Sequence, residues 1–193
     1  MSDTFAAMEG QLGVMKDQLQ EARTARTDSY VAGIEQRQRY ETDQRAWVGI
    51  RDSDLAPIEA GKPFMAAVRI VNTGKTPALK ITSFIRIAAA PANQSPDVDA
   101  IAKLPTWGPD ETTSVPTGAF FPGQVQTLLI GHVDSPIPTD TLNGIISGTL
   151  TVYIIGEIHY RDVFNSQHMT TFFMVYNPEA KAFAFCPTHN DAD

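Results

Sequence analysis

The sequence contains very little cysteine: Cys186 is the single one among 193 residues. One cysteine excludes an internal disulfide framework, and it excludes every zinc site that needs two or more cysteine ligands. Cys186 follows the apolar segment Phe183–Phe185, and no basic residue lies nearby to favour the thiolate. We therefore expect a buried, unreactive thiol.

Basic clusters and long apolar runs are missing too. The chain has 15 basic and 22 acidic residues and a formal net charge of −7, with no basic patch to neutralise a phosphate backbone. This excludes the usual electrostatic basis of nucleic-acid binding. No window reaches the roughly 18 consecutive apolar residues of a membrane-spanning helix. Residues 1–5 lack the basic and apolar regions of a signal peptide, so we expect a cytoplasmic protein if residue 1 is the natural start.

Proline is absent from the first 45 residues, which have a helical pattern. Apolar side chains recur at alternating spacings of three and four, as in the heptads of a coiled coil. They are Phe5, Met8, Leu12, Met15, Leu19 and Ala22, and Arg26 occupies the next core position. The sequence predicts an amphipathic, coiled-coil-like helix over residues 1–45. Its candidate oligomerisation residues are Phe5, Met8, Leu12, Met15 and Leu19. An apolar stripe does not name its partner, so docking on the following domain is the alternative.

From Ala46 the hydrophobic period changes to two, the pattern of half-buried β-strands. Seven such runs follow, separated by connections that contain Pro, Gly or Asn. They cover residues 46–51, 64–71, 79–87, 124–132, 149–162, 168–176 and 180–186. Seven alternating strands without intervening helices predict an antiparallel, immunoglobulin-like β-sandwich and disfavour a parallel sheet. The fold class is therefore mainly β, with a long N-terminal α-helix before the sandwich.

The predicted sandwich occupies residues 46–187 and is followed by a polar tail at 188–193. It includes a long proline-rich loop at 90–123, long enough to be functional. A short helix is predicted at 138–147, capped by Thr139 or Asp140. Its apolar residues Leu142, Ile145 and Ile146 are expected to face the core.

The residues Gly74-Lys75-Thr76 are those that end a phosphate-binding loop. The motif G-x-x-x-x-G-K-[ST] needs a further glycine five residues earlier, and this chain has Arg69 there. The residues that follow have the pattern of a strand, not of the helix whose N-terminus binds phosphate. We therefore interpret the segment as a turn between two strands and predict no nucleotide site.

Glu157, His159 and His168 are the candidate residues for metal binding or acid–base chemistry. Alternation places Glu157 and His159 on one face of a strand, and His168 begins the next strand after a tight turn. Such a row can hold a metal or take part in hydrolysis. More often it is a solvated sheet face with cross-strand ion pairs. We therefore expect no metal and no cofactor, and keep the three residues as the alternative.

Four segments resemble a group of uncharacterised bacterial proteins. The segments are Arg45–Gly49 (RAWVG), Val71–Ala78 (VNTGKTPA), Gly156–Phe164 (GEIHYRDVF) and His168–Phe172 (HMTTF). Proteins of that group usually have one or two membrane helices, then an amphipathic helix, then an immunoglobulin-like sandwich. The resemblance implies the same fold and no particular activity. It also implies proximity to a membrane if an anchor before Met1 was removed.

These patterns together predict a non-enzymatic structural or interaction protein. The helix serves self-association or membrane-proximal spacing, and the sandwich recognises a partner. The expected partner is a second copy of the chain or another protein, and not nucleic acid. Two alternatives stay open: a sandwich that binds a small ligand or metal through Glu157, His159 and His168, and a subunit of a multimeric phage or secretion assembly.

Overall fold

The computed structural model describes residues 2–59, 62–92, 111–114 and 118–193. At residues 2–7, 63–64, 111–114 and 132–136 the structure describes the backbone alone. The chain divides into two compact units, Met1–Asp43 and Gln44–Asp193. The first is helical and the second is a β-structure.

The first unit is one helix, α1 (Ser2–Gln44). With 1.5 Å of rise per residue it is about 65 Å long. It contains no proline that would interrupt the backbone hydrogen bonds. Ion pairs four residues apart, Glu35 with Arg39 and Arg37 with Glu41, support its C-terminal part. The predicted N-terminal helix is confirmed.

The apolar stripe of α1 is restricted to its N-terminal half. Met8, Leu12, Met15 and Leu19 have exposed side chains, and the side chain of Phe5 lies outside the described part of the chain. Further along, Arg26 takes a core position of the heptad pattern. Over Ser2–Gln44 as a whole, polar and apolar residues do not separate into two faces. The charged residues interrupt the seam after Ala22, so a coiled-coil-like pairing of the helix over residues 1–45 stays a prediction.

The second unit contains ten strands and one helix within its described residues. The strands are β1 (Val48–Leu55), β2 (Pro63–Asn72), β3 (Ala78–Pro91), β4 (Glu111–Ser114), β5 (Ala119–Phe120), β6 (Val125–Pro136), β7 (Leu150–Arg161), β8 (Gln167–Asn177), β9 (Ala182–Phe185) and β10 (Asp191–Ala192). The helix, α2 (Thr139–Ile146), lies between β6 and β7.

The strands form two antiparallel sheets. The smaller sheet has the order β1-β2-β6, and the larger has the order β10-β8-β7-β3-β4, with β5 paired to β3 and β9 paired to β8. Every strand pair is antiparallel. The prediction of a mainly β chain with antiparallel strands after a long helix is confirmed.

One hydrophobic core joins the two sheets. The smaller sheet contributes Val68 and Ile70, and the larger contributes Ile154, Ile158 and Phe172, all almost fully buried. Complete burial of one such side chain is worth about 1.5–3 kcal/mol. The alternating residues of both sheets therefore supply this unit with a core of its own.

The seven predicted strands correspond to β1, β2, β3, β6, β7, β8 and β9. Two further strands, β4 and β5, lie in the segment predicted as a loop at 90–123, and both pair with β3. Of the segment 90–123, the structure describes residues 90–92, 111–114 and 118–123. The first two of these, Ala90 and Pro91, form the end of β3. The predicted tail at 188–193 contains β10, which pairs with β8.

The predicted short helix is present as α2. Leu142 and Ile145 are buried as expected, but Ile146 is 71% exposed. Ile146 is the last residue of the helix and is followed by the C-cap residue Ser147. The residue before the helix is Pro138, and no side chain caps the first turn, in contrast to the predicted cap at Thr139 or Asp140.

Candidate functional site

The three residues of the candidate metal site lie on two faces of the larger sheet. In the register of β7 and β8, His159 is opposite Met169 and Tyr160 is opposite His168. Glu157 and His159 are exposed and contact each other, with 2.9 Å between carboxylate Oε2 and Nε2. His168 faces the interior, so the structure joins the first two residues and separates the third from them.

The described residues do not hold a group of three metal-ligating side chains. His159 and His168 belong to adjacent strands, as expected from the tight turn between them. Because successive side chains of a strand alternate between faces, their odd register offset places them on opposite sides. Sequence alternation identified the exposed row but could not supply this register.

His168 lies in a buried polar cluster at the end of the sandwich where β7 turns into β8. Its side chain is 8% exposed, and its Nε2 is 2.8 Å from Oδ2 of Asp162, a carboxylate only 3% exposed. Its ring packs against Tyr160, with 5.4 Å between ring centroids. The histidine therefore contacts a buried anion on one side and an aromatic ring on its face.

Asp162 fixes the turn between the two strands. Its Oδ1 accepts hydrogen bonds from the backbone N–H groups of Phe164 and Ser166, each at 2.9 Å. Asn165, with φ of 69°, takes the left-handed conformation that asparagine tolerates well. The other carboxylate oxygen is thereby held toward His168. The acid thus organises the turn and positions the histidine.

Arg45 completes the cluster from the other side of the histidine. Its Nη1 is 2.9 Å from Nδ1 of His168. A guanidinium group only donates hydrogen bonds, so Nδ1 must accept this one. The hydrogen of the neutral imidazole therefore resides on Nε2, which donates it to Asp162. The imidazole thus bridges a guanidinium group and a carboxylate in this arrangement.

Arg45 also stacks on Trp47, with 3.6 Å between the guanidinium carbon and the ring centroid. Cation–π stacking of this kind contributes about 0.5–2 kcal/mol, depending on how far the pair is removed from water. The Nε of Arg45 is buried and has no hydrogen-bond partner among the described residues. The side chain is thus held by its terminal nitrogen and by its flat face.

A second buried group, Asn72, ties three chain segments together. Its Oδ1 accepts from the backbone N–H of Trp47 at 3.1 Å and of Gly74 at 2.9 Å. Its two amide hydrogens go to the backbone carbonyls of Thr76 and Phe120, each at 2.8 Å. All of its hydrogen-bonding groups are used, which is what a side chain with 0% exposure requires.

The glycine of the apparent phosphate loop has a packing role. A Cβ added at Gly74 would lie 2.4 Å from the carbonyl oxygen of Arg45 and 2.5 Å from the nitrogen of Trp47. The backbone N–H of Lys75 donates to that same carbonyl at 3.2 Å. The Gly74-Lys75-Thr76 segment is therefore a turn, as we interpreted it from the sequence. The structure adds that this turn packs closely on the start of the sandwich.

Tyr160 and Thr170 hold the first strand of the smaller sheet against the larger one. The Tyr160 hydroxyl donates to the carbonyl of Ala46 and accepts from the N–H of Val48, both at 3.4 Å. The Thr170 hydroxyl donates to the carbonyl of Val48 at 2.6 Å. Burial raises the pKa of the Tyr160 phenol above its ordinary value. Nearby hydrogen bonds and the positive charge of Arg45 offset part of this effect.

We call these residues the junction cluster: Arg45, Trp47, Asn72, Gly74, Tyr160, Asp162, His168 and Thr170. Sequence reasoning did not identify them as a group, although it singled out His168 and Gly74. Members of the cluster lie in each of four segments singled out in the sequence: Arg45–Gly49, Val71–Ala78, Gly156–Phe164 and His168–Phe172. The polar groups mostly satisfy one another, so the arrangement locks four distant segments together.

Cys186 lies in a second, smaller apolar cluster on the outer face of the larger sheet. It is 5% exposed and packs with Tyr153 and Phe173. Burial raises the pKa of its thiol, which disfavours the nucleophilic thiolate. The expected burial of the cysteine is confirmed, and its low reactivity stays a prediction.

Neither helix in the described part of the chain combines the length and apolarity needed to cross a bilayer. No family model and no curated protein matches the sequence. Among solved structures, the chain is similar to one named as an ApaA protein from Bordetella pertussis. The identity is 17% and the TM-score 0.38, over 65% of this chain and 86% of that one. A likeness at this level says nothing about function.

Proposed function

We propose that this protein is a non-enzymatic interaction protein in which α1 associates with a second copy and the sandwich recognises a partner. One observation is the main support. Met8, Leu12, Met15 and Leu19 are 54–67% exposed on a helix that forms a unit of its own. They follow the heptad spacing that pairs helices. A second copy of the same stripe is the complementary surface.

The magnitudes favour a modest association. Two stripes of four residues bring eight apolar side chains together, each worth about 1.5–3 kcal/mol if fully buried. Association costs an estimated 4–15 kcal/mol in lost translational and rotational freedom. Arg26 at the next core position limits the length of the seam. The balance corresponds to an oligomer at micromolar concentrations.

The strand order supports a recognition role for the sandwich. A constant-type immunoglobulin sandwich has strands A, B, E and D in one sheet and G, F and C in the other. Here β1-β2-β6 follows the order A-B-E, with no counterpart of D among the described strands of that sheet, and β8-β7-β3 follows the order G-F-C. In variable immunoglobulin domains, loops at one end of the sandwich bind the partner. We therefore assign the sandwich to the immunoglobulin-like type as part of the proposal.

The metal-binding and hydrolytic alternative gains no support from the geometry. Glu157 and His159 are exposed on one face, whereas His168 is buried on the other and already bound to Asp162. No described observation favours this alternative over the interaction proposal.

Sedimentation equilibrium of the full chain tests the helix. The wild type should self-associate in the micromolar range, and the double variant Leu12→Asp, Leu19→Asp should be monomeric. Buried carboxylates in a helix seam cost several kcal/mol, more than the seam can supply.

The matched control is Gln11→Asp with Gln18→Asp. It adds the same charge one residue earlier in each case, off the stripe. Self-association equal to the wild type is expected for this control. A wild-type chain that stays monomeric at high concentration would refute the self-association proposal.

A further inference from the structure

One atom of the junction cluster faces two groups of opposite charge. Nδ1 of His168 lies 2.9 Å from Nη1 of Arg45 and 3.9 Å from Oδ1 of Asp193. Arg45 immediately precedes the sandwich, and Asp193 immediately follows β10. The second ring nitrogen, Nε2, is bound to Asp162. The two charged groups near Nδ1 need opposite protonation states of that atom.

Arg45 binds Nδ1 only while the histidine is neutral. A guanidinium has no acceptor, so a protonated Nδ1 would place two donors and two cations against each other. Asp193 has the opposite requirement, since its carboxylate only accepts. Its side chain is 72% exposed and needs to approach by about 1 Å to reach hydrogen-bond distance.

We propose that protonation of His168 exchanges the partner of Nδ1 from Arg45 to Asp193 and releases the Arg45 side chain from the junction cluster. Asp162 keeps its bond to Nε2 in both states, because Nε2 carries a hydrogen in both. The exchange is therefore confined to one side of the ring. It loosens the segment that leads from α1 into β1 and tightens the C-terminal segment on β8.

The surroundings make this exchange local. The titratable and charged groups around the ring are Arg45 from the segment before β1, Tyr160 and Asp162 from the end of β7, and Asp193 from the segment after β10. Asp193 is already tethered next to the ring. Its Oδ1 accepts the N–H of Met169 at 2.7 Å, and its own N–H donates to the carbonyl of Met169 at 3.3 Å.

The released side chain has a built-in reporter. Arg45 lies on the face of Trp47, so its departure changes the environment of that indole. The chain contains two tryptophans, and Trp107→Phe leaves Trp47 as the single emitter.

The first test is the tautomer of His168, measured by ¹⁵N NMR of the full chain at pH 8. The Nε2–H tautomer is expected, and its signal is identified by its loss in His168→Asn. An Nδ1–H tautomer would overturn the proposal, because Arg45 could not then be bound to Nδ1.

The second test is Trp47 emission between about pH 8 and 5, the range in which imidazoles titrate. A one-proton transition is expected in Trp107→Phe. It should vanish when His168→Asn is added, since the Asn oxygen can accept from Arg45 but does not titrate. It should persist in the control His159→Asn, whose histidine is exposed. An unchanged transition in the His168→Asn background refutes the proposal.

The variant Asp193→Asn separates partner exchange from simple loss of a bond, and its exposed side chain puts folding at little risk. Without the carboxylate, the emission transition should move to lower pH, because the negative charge that favours the protonated ring is gone. An unmoved transition shows that Asp193 does not accept a hydrogen bond from Nδ1 and refutes the exchange.

Discussion

The helix and the sandwich treat their apolar residues in opposite ways. In the sandwich, alternating side chains of two sheets meet in one core, where Ile154 and Ile158 are 0% exposed. In α1, the apolar side chains at heptad spacing are exposed, for example Met15 at 67%. Both patterns are recognisable in the sequence, although the heptad pattern is interrupted at Arg26. The apolar side chains that recur with a period of two are buried inside the sandwich, whereas those at heptad spacing are not buried within the helical unit.

This difference shows where each unit gets its stability. Burial of apolar area is the main stabilising term of a folded unit. The sandwich obtains that term from its own residues. The helix depends on backbone hydrogen bonds and side-chain pairs four apart, each worth only about 0.2–0.5 kcal/mol. A substitution of the same kind should therefore have different effects in the two units.

The largest difference is expected for truncation of an apolar side chain. Phe172, 1% exposed in the core, should cost about 3–5 kcal/mol of unfolding free energy when changed to Ala, because it leaves a cavity between the sheets. Leu12→Ala should change the unfolding of the sandwich by less than about 0.5 kcal/mol. Denaturant unfolding followed by Trp emission measures both.

The control within the sandwich is Phe185→Ala, because Phe185 is 54% exposed on β9. It removes the same side chain with little change in burial and should cost far less than Phe172→Ala. Equal losses at the two phenylalanines would show that the assigned core does not set the stability of the sandwich.

The pattern of alternation predicted the longer strands because each has enough residues to show a period. It could not predict β4 and β10. Glu111–Ser114 is entirely polar, and Asp191–Ala192 has two residues, so neither contains a hydrophobic period. Such short strands arise because a neighbouring strand offers free backbone groups, a property of the folded sheet and not of the local sequence.

The junction cluster was beyond sequence reasoning for a related reason. Arg45 and His168 are 123 positions apart, and their contact depends on the register of β7 with β8 and on the path of the chain before β1. A one-residue shift in that register would turn His168 to the solvent face. The sequence predicted strand β8 but not which face of β8 points toward the core.

The next largest contrast concerns glycine, where the two units should respond with opposite sign. Gly74→Ala places a methyl group against the backbone of Arg45 and Trp47, which cannot move aside, and should destabilise the sandwich by about 1–3 kcal/mol. Gly13→Ala meets open space in α1 and should stabilise the helix by up to about 1 kcal/mol.

Circular dichroism during thermal unfolding measures this pair, with helical and β signals followed separately. Lys75→Ala is the neighbouring control for Gly74→Ala, because it leaves the glycine in place. Stabilisation by Gly74→Ala would mean that the turn does not pack on the start of the sandwich.

The smallest expected effect is a pH dependence of the stability of the sandwich. Burial raises the pKa of Tyr160 above the ordinary value of 10.0. A folded-state pKa above that of the unfolded chain means that the folded state keeps its proton longer. The stability contributed by the neutral phenol is therefore complete below pH 10 and is lost as the pH rises through the folded pKa. Tyr153 and Cys186 act in the same direction, since burial raises the pKa of each.

The Tyr160 contribution is isolated by comparing unfolding free energies of the wild type and Tyr160→Phe from pH 8 to pH 11. The variant should be less stable at pH 8, because the carbonyl of Ala46 and the N–H of Val48 lose their hydroxyl partner. It should also lose less stability above pH 10, because it has one fewer phenol to ionise, so the two curves converge. Tyr30→Phe, at a position 71% exposed on α1, should leave the curve parallel to that of the wild type. Parallel curves for Tyr160→Phe would show that the phenol ionises as readily in the folded sandwich as in the unfolded chain, and the hydroxyl would then not be held in the junction cluster.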